Sequence, residues 1–290
     1  MRTIKGYIRR IIYIICPRLA CSYFFYKKMG YIGHLKKPST FNEKIQYLKL
    51  YEWPKNAKVI QCADKYAVRD YIREKGYSEI LVPLIGYWDK PNHIDFKQLP
   101  SSFVLKCNHG SGYNLICKDK KELNIEETIS ILERWMKEDF SLYGGERHYR
   151  YIPKKIIAEK YLGEEIYDYK FFCFNGEPKF LYISVEVPSK NGKKVKCCFF
   201  NCNGEKAEFV RTDELFYADN EIPDIPEKFD EMKQIAKGLS KDFPFVRVDL
   251  FQVEGKVYFS ELTFTPACGL MPLEPREWDK KLGDMLKLSD

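Results

Sequence analysis

VRVDL at residues 246–250 and VYFSELT at residues 257–263 are two apolar runs in which charged residues occupy alternate positions. This alternation is typical of β-strands that bury one face. Residues 252–256 contain a glycine and have the length of a turn that joins two hairpin strands. Because residues two apart share a face of a strand, Arg247 and Asp249 are expected to project together.

The charged face of this hairpin needs partners. Glu261 and Thr263 share a face of the second strand, as Arg247 and Asp249 do on the first. Burying charges is costly unless they meet each other, a metal ion or a polyanion. Two carboxylates from adjacent strands suit Mg²⁺, which prefers hard oxygen ligands and keeps substrate phosphates among them. A buried Arg–Asp pair without any ligand is the alternative, and the hairpin alone leaves both open.

The composition indicates a soluble globular protein. The chain has 290 residues, enough for one large domain or two small ones, with 45% hydrophobic and 31% charged residues. No apolar run approaches the roughly 18 residues of a membrane span. Residues 11–16 are apolar and follow Arg9 and Arg10, but the run is too short for a signal peptide and ends at Pro17. We therefore expect a cytoplasmic protein.

The ten cysteines are scattered without the paired spacing of a metal site. Their only cluster, Cys197, Cys198 and Cys202, lacks C-x-x-C spacing and a nearby histidine. We expect reduced thiols in the core or on the surface.

The charge is unevenly distributed. Residues 1–60 contain 13 Lys and Arg and 2 Asp and Glu, whereas the rest of the chain is net acidic. Such a basic segment with interleaved Ile, Tyr and Phe could lie on an anionic membrane at the inner face, or line a groove for an acidic substrate. A solvated helix face is the third interpretation. A nucleic-acid partner is not expected, because no recognisable module accompanies the charge.

The periodicity predicts several further elements. Helices are expected over residues 3–30, 41–51, 64–72, 125–140, 229–240 and 277–288, with Ser39 or Thr40 capping the second and Glu43 completing a capping box. Strands are expected over residues 80–87, 103–107, 115–117, 155–158, 169–174, 180–187 and 193–201. Residues 142–151 are expected to form a polar loop.

A glycine-rich loop joins two of these strands. FVLKC at residues 103–107 leads into NHGSGYN at residues 108–114. Free backbone N–H groups in such a loop can cover phosphates, and Lys106 at the strand end adds a positive charge. The loop is neither a Walker A motif nor a dinucleotide-binding fingerprint, since no Gly-Lys-Ser/Thr and no helix follow. A plain hairpin turn is the alternative.

The order of these motifs resembles the ATP-grasp superfamily. The wording STFNEK at 39–44, ADKYAVR at 63–69, LKCNHGSG at 105–112 and ELTFTPA at 261–267 resembles its TupA-like branch, over about residues 25–285. The resemblance implies an α+β fold of two lobes that clamp ATP, preceded by a basic helical region. The implied division is residues 1–98, then an ATP-grasp domain at 99–290 with a lid lobe at about 101–162 and a catalytic lobe at about 163–290.

The resemblance also implies roles for individual residues. The nucleotide would be contacted by Lys106 at the α/β-phosphates, by Gly110, Ser111 and Gly112 over the β/γ-phosphates, by Glu159, Lys160, Tyr161 and Leu162 at the adenine, and by Glu165 or Asp168 near the ribose. Mg²⁺ would be held by Asp249, Glu261 and Thr263, and catalysis would involve Arg247, Lys106 and Lys170. The family's usual Asn is Thr263 here, so a second Mg²⁺ would be bound more loosely.

The implied activity is an ATP-dependent carboxylate–amine ligase that forms an amide through an acyl phosphate. Its substrates would be an amine and a uronic acid of a capsular or other surface polysaccharide, or of a nucleotide- or lipid-linked precursor. One alternative is a sugar-nucleotide glycosyltransferase, against which the chain contains no Asp-x-Asp motif. Another is a non-catalytic ATP-grasp binding protein, against which Lys106, Asp249 and Glu261 are all present.

Overall fold

The computed structural model describes residues 4–163, 167–189, 192–217 and 221–288. Its helices are α1 (Ile4–Ile15), α2 (Pro17–Met29), α3 (Phe41–Tyr47), α4 (Ala57–Ala63), α5 (Val68–Glu74), α6 (Ile125–Lys137), α7 (Ser141–Gly144), α8 (Phe229–Ser240) and α9 (Glu277–Met285). Shorter 3₁₀ turns include Arg147–Tyr151 and Pro266–Gly269, and a π-helical turn at Leu48–Glu52 extends α3.

The helix predictions hold at most positions. The predicted cap of α3 is Thr40: its hydroxyl accepts the Glu43 N–H, and the Glu43 carboxylate accepts the Thr40 N–H. The helix predicted from residue 64 begins only at Val68, because the Asp64 carboxylate accepts two backbone N–H groups and forms a separate turn before it. Helix α4 was not predicted; the Asn56 side chain caps it.

The strands form three sheets. They are β1 (Leu84–Trp88), β2 (Phe103–Cys107), β3 (Asn114–Cys117), β4 (Ile156–Lys160), β5 (Asp168–Phe174), β6 (Glu177–Ser189), β7 (Gly192–Asn201), β8 (Val210–Arg211), β9 (Leu215–Phe216), β10 (Phe245–Val253), β11 (Lys256–Thr263) and β12 (Leu273–Glu274). The orders are β1-β4-β2-β3, β11-β10-β5-β6-β7-β9 and β12-β8. Neighbouring strands are antiparallel, except that β7 and β9 are parallel. The sheet of β1 to β4 includes β1, which lies upstream of residue 98.

The six-stranded sheet has two differently covered faces. On one face, Met232, Ile235 and Leu239 of α8 are buried against β5, β6 and β10. On the other face, Phe41 of α3 packs on Phe245, with their ring centroids 5.0 Å apart. Because that second face is apolar at one end only, its other end is left for the charged residues of β10 and β11.

Two smaller cores complete the molecule. Helix α6 packs on the four-stranded sheet through Leu132, beside Phe103 and Leu105. Helices α1 and α2 share a separate cluster that includes Tyr13 and Phe25. None of the helices in the described residues is both long and apolar enough to span a bilayer.

Candidate active site

The β10–β11 hairpin gathers the predicted charged residues on one face. Asp249 lies opposite Glu261, and Arg247 lies opposite Thr263. Arg247 donates from Nε and Nη2 to the two carboxylate oxygens of Asp249, at 2.7 and 2.6 Å. Its Nη2 also donates to the Thr263 hydroxyl at 3.1 Å, and that hydroxyl donates to Glu261 at 2.9 Å. The four side chains therefore form one connected network.

A lysine that the sequence reasoning left without a role joins this network. Lys65 Nζ donates to Glu261 Oε2 at 3.0 Å. The adjacent Asp64 carboxylate accepts the N–H groups of Tyr66 and Ala67 and an Asn108 side-chain N–H. These bonds hold the turn that presents Lys65 to the hairpin. The only sequence signal was the position of Lys65 inside the stretch at 63–69.

The two carboxylates experience different environments. The positive charge of Lys65 lowers the pKa of Glu261 to about 2, although burial opposes the shift. Burial raises the pKa of Asp249 to about 6, although Arg247 opposes it. Asp249 is only 2% exposed, whereas the Glu261 side chain is 30% exposed. Glu261 is thus the carboxylate that a ligand reaches from solvent.

A second charged cluster faces the hairpin from the four-stranded sheet. Lys106 Nζ lies 2.6 Å from one oxygen of Glu159, and Arg69 Nη1 lies 3.1 Å from the other. Arg69 also donates to the carbonyl of Val82 at 2.8 Å. A narrow pocket between the sheets is lined by Lys65, Arg69, Leu81, Val82, Lys106, Glu159, Phe259 and Ser260. Three cations therefore border one cleft, which suits an anionic ligand.

The model of one protein family, described as TupA-like ATPgrasp, matches residues 43–287. This chain belongs to the TupA-like ATP-grasp family. Its α+β fold is the ATP-grasp fold, as predicted from the motifs. Comparison with curated proteins gave no match.

Two solved structures similar to this TupA-like chain are ligases. A D-alanine–D-alanine ligase from Bacillus anthracis is 19% identical, with a TM-score of 0.46 over 78% of this chain and 66% of that one. A D-alanine–D-alanine ligase from Helicobacter pylori is 16% identical, with a TM-score of 0.45 over 86% of this chain and 68% of that one. The chain thus spans about two thirds of the length of these relatives.

The glycine-rich loop of this TupA-like chain, at residues 108–114, is called the lid loop below. It is anchored at its base and exposed at its tip. Asn108 donates to Asp64 and accepts the Lys155 N–H at 2.6 Å. Gly110 is buried, and a Cβ added there would lie 2.8 Å from the ring of Phe140. Ser111 and Gly112 are exposed, and Gly112 has a φ of +76°, the left-handed region that favours glycine. Only the tip is free to cover a ligand.

His109, also in this loop, is a packed residue rather than an exposed turn residue. Its ring is 1% exposed, and Nε2 lies 3.2 Å from the carbonyl oxygen of Trp135. Burial lowers its pKa to about 4. The side chain therefore stays neutral near pH 7.

Of the remaining predicted nucleotide contacts, Glu159 lines the pocket, and residues 160–162 follow it directly in the chain. Lys160 is exposed, its N–H donates to the carbonyl of Pro83 at 3.0 Å, and Tyr161 and Leu162 are half-buried. Glu159, whose carboxylate holds Lys106 and Arg69, is 7% exposed. Glu165 lies outside the described residues.

Lys170 and Asp168 extend the charged face along β5. Lys170 lies opposite Asp249 in the register, and its Nζ lies 3.1 Å from Asp168 and 2.8 Å from the Ser184 hydroxyl. These contacts place Lys170 on the same face as Arg247. The predicted catalytic residues of the catalytic lobe are therefore neighbours.

The oxygen donors on the hairpin fit Mg²⁺ in type. Asp249, Glu261 and Thr263 offer two carboxylates and a hydroxyl, the hard ligands that this ion prefers. Each carboxylate oxygen that accepts a hydrogen bond retains a second lone pair. In residues 4–163, 167–189, 192–217 and 221–288, the hairpin included, no group of three or more His, Cys, Asp or Glu side chains is placed to hold a metal. All ten cysteines are free thiols.

The segment at residues 142–151, predicted as a polar loop, is largely buried. Glu146 accepts a hydrogen bond from the Thr265 hydroxyl, and His148 is fully buried. Lys49, itself 1% exposed, donates to the carbonyls of Gly144 and Cys268 at 2.8 Å. Glu146 thus bonds to the turn after β11, whereas Arg150 is exposed and pairs with Asp139, so the segment is solvated only in part.

Proposed function

We propose that this TupA-like protein is an ATP-dependent carboxylate–amine ligase. The observation that carries the proposal is the network of Arg247, Asp249, Glu261 and Lys65, because Lys65 also lines a narrow pocket together with Lys106 and Arg69. A nucleoside triphosphate needs cations around its phosphates and oxygen ligands for its metal ion. Both are present here: three cations line the pocket, and one of them, Lys65, bonds directly to Glu261 of the hairpin.

The proposed reaction activates a carboxylate. The carboxylate oxygen attacks the γ-phosphorus of ATP and becomes an acyl phosphate, and ADP leaves. An amine then attacks the acyl carbon, and the tetrahedral intermediate expels phosphate to leave an amide. Both steps depend mainly on positioning and on neutralising negative charge. No side-chain nucleophile is required.

The residues of this chain divide that work. Lys106 neutralises the α/β-phosphates, the tip of the lid at Ser111 and Gly112 closes over the β/γ-phosphates, and Arg247 stabilises charge on the transferred group. Lys170 contacts phosphate or substrate on the same face. Mg²⁺ on Asp249, Glu261 and Thr263, when bound, would neutralise charge between the phosphates.

We also propose which residues contact the adenine and the ribose, and which sheet belongs to which lobe. The backbone of residues 159–162 would read the adenine edge, and Glu165 or Asp168 would lie near the ribose. The four-stranded sheet would belong to the lid lobe and the six-stranded sheet to the catalytic lobe, behind the region at residues 1–98.

We propose a uronic acid of a surface polysaccharide, or of its nucleotide- or lipid-linked precursor, as the carboxylate, and an amino acid or other amine as its partner. The support is the TupA-like family model. A ligase that consumes ATP would act in the cytoplasm, where ATP is available.

One experiment tests the activity. The protein is incubated with Mg²⁺ and ATP against a panel of uronic acids and amines, and released phosphate is measured. The proposal requires phosphate release that depends on both an acid and an amine. Turnover of a uridine-diphosphate sugar without ATP would instead establish a glycosyltransferase. In the same assay Glu261→Gln should lose this phosphate release. Glu227→Gln, at an exposed glutamate, is its matched control and should keep it.

A further inference from the structure

Helices α1 and α2 expose an unusual number of large apolar side chains. Nine of the eighteen such side chains exposed in the described residues lie between residues 7 and 32. They are Tyr7, Ile8, Ile11, Ile14, Ile15, Leu19, Tyr23, Tyr26 and Ile32, each between 52% and 77% exposed. Scattered single residues need no explanation, but a contiguous patch marks an interaction surface. We call these nine residues the apolar face.

The spacing shows that the exposed side chains form one stripe on each of the two helices, which pack against each other. In α1 the exposed residues 7, 8, 11, 14 and 15 recur at the intervals of one helical stripe. In α2 the exposed residues 19, 23 and 26 do the same. A helix on the surface of a protein normally turns such a stripe towards the core. Here both helices turn it outward.

The arginines of α1 point the other way. The Arg10 guanidinium lies 3.5 Å from the Glu138 carboxylate and 4.3 Å from the Tyr143 ring centroid, and its side chain is 16% exposed. The Arg9 guanidinium lies 4.7 Å from the Phe24 ring centroid. The helix is thus attached to the body through Arg9, Arg10 and the buried Tyr13, while the exposed isoleucines of the apolar face point outward. This is the reverse of a solvated helix face.

Basic residues surround the apolar face. Arg18, Lys27, Lys36 and Lys37 are exposed beside it, within a segment of 13 basic and 2 acidic residues. This combination selects among occupants. A second copy of the chain would bring like charges together, and a soluble acidic glycan would leave the isoleucines in water. An anionic bilayer satisfies both the apolar and the basic side chains.

We propose that the apolar face docks this protein on an anionic lipid bilayer. The exposed Ile and Tyr side chains enter the headgroup region, and Arg18 and Lys27 pair with lipid phosphates. Lys28 of α2 pairs with Asp213 at 3.0 Å, so the docked helices remain tied to the catalytic lobe. Docking is independent of the ligase proposal, because it requires neither ATP nor an amine.

The test is co-sedimentation of the full chain with vesicles, without ATP. One set contains equal parts of phosphatidylglycerol and phosphatidylcholine, and the other contains phosphatidylcholine alone. We expect binding to the anionic vesicles to be about tenfold or more tighter, and to weaken as salt is added. Equal binding to both sets, or none to either, overturns the proposal.

Variants identify the surface. Ile11→Ser combined with Ile14→Ser and Ile15→Ser should weaken vesicle binding by about tenfold or more, whereas Ile125→Ser, at an exposed isoleucine on α6, should not. If the triple variant fails to fold, as judged by circular dichroism, Ile15→Ser alone replaces it, because that residue is 77% exposed. Unchanged binding by the folded variant overturns the assignment.

Charge variants and a mass measurement distinguish the bilayer from the two other candidate partners, a second copy of the chain and a soluble acidic glycan. Arg18→Glu with Lys27→Glu should abolish the preference for anionic vesicles, and Lys137→Glu, on the exposed side of α6, should preserve it. Sedimentation equilibrium without lipid should give a monomer. A dimer that the isoleucine variants disrupt would make the face a subunit interface. Binding to soluble polygalacturonate but not to vesicles would make it a glycan site.

Discussion

The β10–β11 hairpin and the glycine-rich loop at residues 108–114, the proposed lid, are both proposed to contact the nucleotide, but different interactions fix their shapes. In the hairpin, neighbours in sequence and register satisfy one another: Arg247 pairs with Asp249, and Thr263 pairs with Glu261. In the lid, the shape depends on distant residues, because Asn108 is held by Asp64 and by Lys155. Local periodicity therefore describes the first region well and the second poorly.

The hairpin itself contains a further contrast. Asp249 is buried and bound on both oxygens by one arginine, whereas Glu261 shares its oxygens between Thr263 and a lysine from another segment. Removing a buried partner leaves an uncompensated charge, and the cost is smaller at the more exposed carboxylate, where solvent replaces part of the lost interaction. Substitutions in the two positions should therefore differ in kind.

Asp249→Asn should have the largest effect, because it damages both activity and stability. The neutral amide cannot balance Arg247, and breaking a buried pair costs about 3–5 kcal/mol. We expect a clear fall in the melting temperature together with loss of turnover. A melting temperature equal to that of the wild type would show that Arg247 and Asp249 are not a tight buried pair.

Glu261→Gln should lose activity and cost less stability than Asp249→Asn, because Glu261 is the more exposed carboxylate, although Lys65 favours its ionised form. Glutamine keeps the length of the side chain and a hydrogen-bond acceptor for Lys65, but it removes the charge that would hold a metal ion. We expect phosphate release to fall by about a hundredfold or more. Thermal unfolding should stay within a few degrees of the wild type. Full activity in this variant would contradict the proposed metal site.

Gly110→Ala tests whether the base of the lid is packed. The new Cβ would lie 2.8 Å from both the Phe140 and the Tyr113 rings, and overpacking of this kind costs about 1–3 kcal/mol. Gly112→Ala is the comparison, because nothing lies within 4 Å of its Cβ and only its positive φ opposes the change. Thermal unfolding should show the larger loss for Gly110→Ala. Equal losses would mean that the whole loop is loose.

Lys65→Gln should weaken catalysis by about tenfold, the scale of a residue that positions a ligand. Its Nζ is 3.0 Å from Glu261, so its loss leaves that carboxylate less firmly oriented. Lys58→Gln is the matched control, since Lys58 pairs with Asp242 at the surface. Initial rates of phosphate release at varied ATP would distinguish the two. A similar result for both variants would remove Lys65 from the site.

The sequence allowed the hairpin to be predicted residue by residue, because the two-residue period of a strand fixes which side chains share a face. Helix α8 and the capping box of α3 were predictable for the same reason: their signals lie within a few residues. The family motifs supplied the ATP-grasp fold, which no single period could supply. The roles given to the individual site residues remain predictions.

What could not be predicted depends on packing between distant segments. Nothing near Lys65 shows that its amine reaches β11, and nothing near Arg69 shows that it reaches Glu159 on β4. The polar residues at 142–151 suggested a solvent-facing loop, yet Glu146 and His148 are buried beside the turn after β11. Polarity alone cannot distinguish a solvated side chain from one with an internal partner.

The smallest expected effect is on the pH dependence of stability, to which one buried histidine in each region contributes. Burial lowers the pKa of His148, near the hairpin, to about 3, and that of His109, in the lid, to about 4. Below about pH 6.5 these histidines bind protons in the unfolded chain but stay neutral in the folded chain. The free energy of unfolding therefore falls as the pH falls. Urea unfolding gives the decrease in the free energy of unfolding between about pH 7.5 and 6. In His148→Phe this decrease should be smaller by about 1 kcal/mol. Exposed His93→Gln is the control; an unchanged pH slope in His148→Phe would show that this histidine binds its proton equally well in the folded and the unfolded chain.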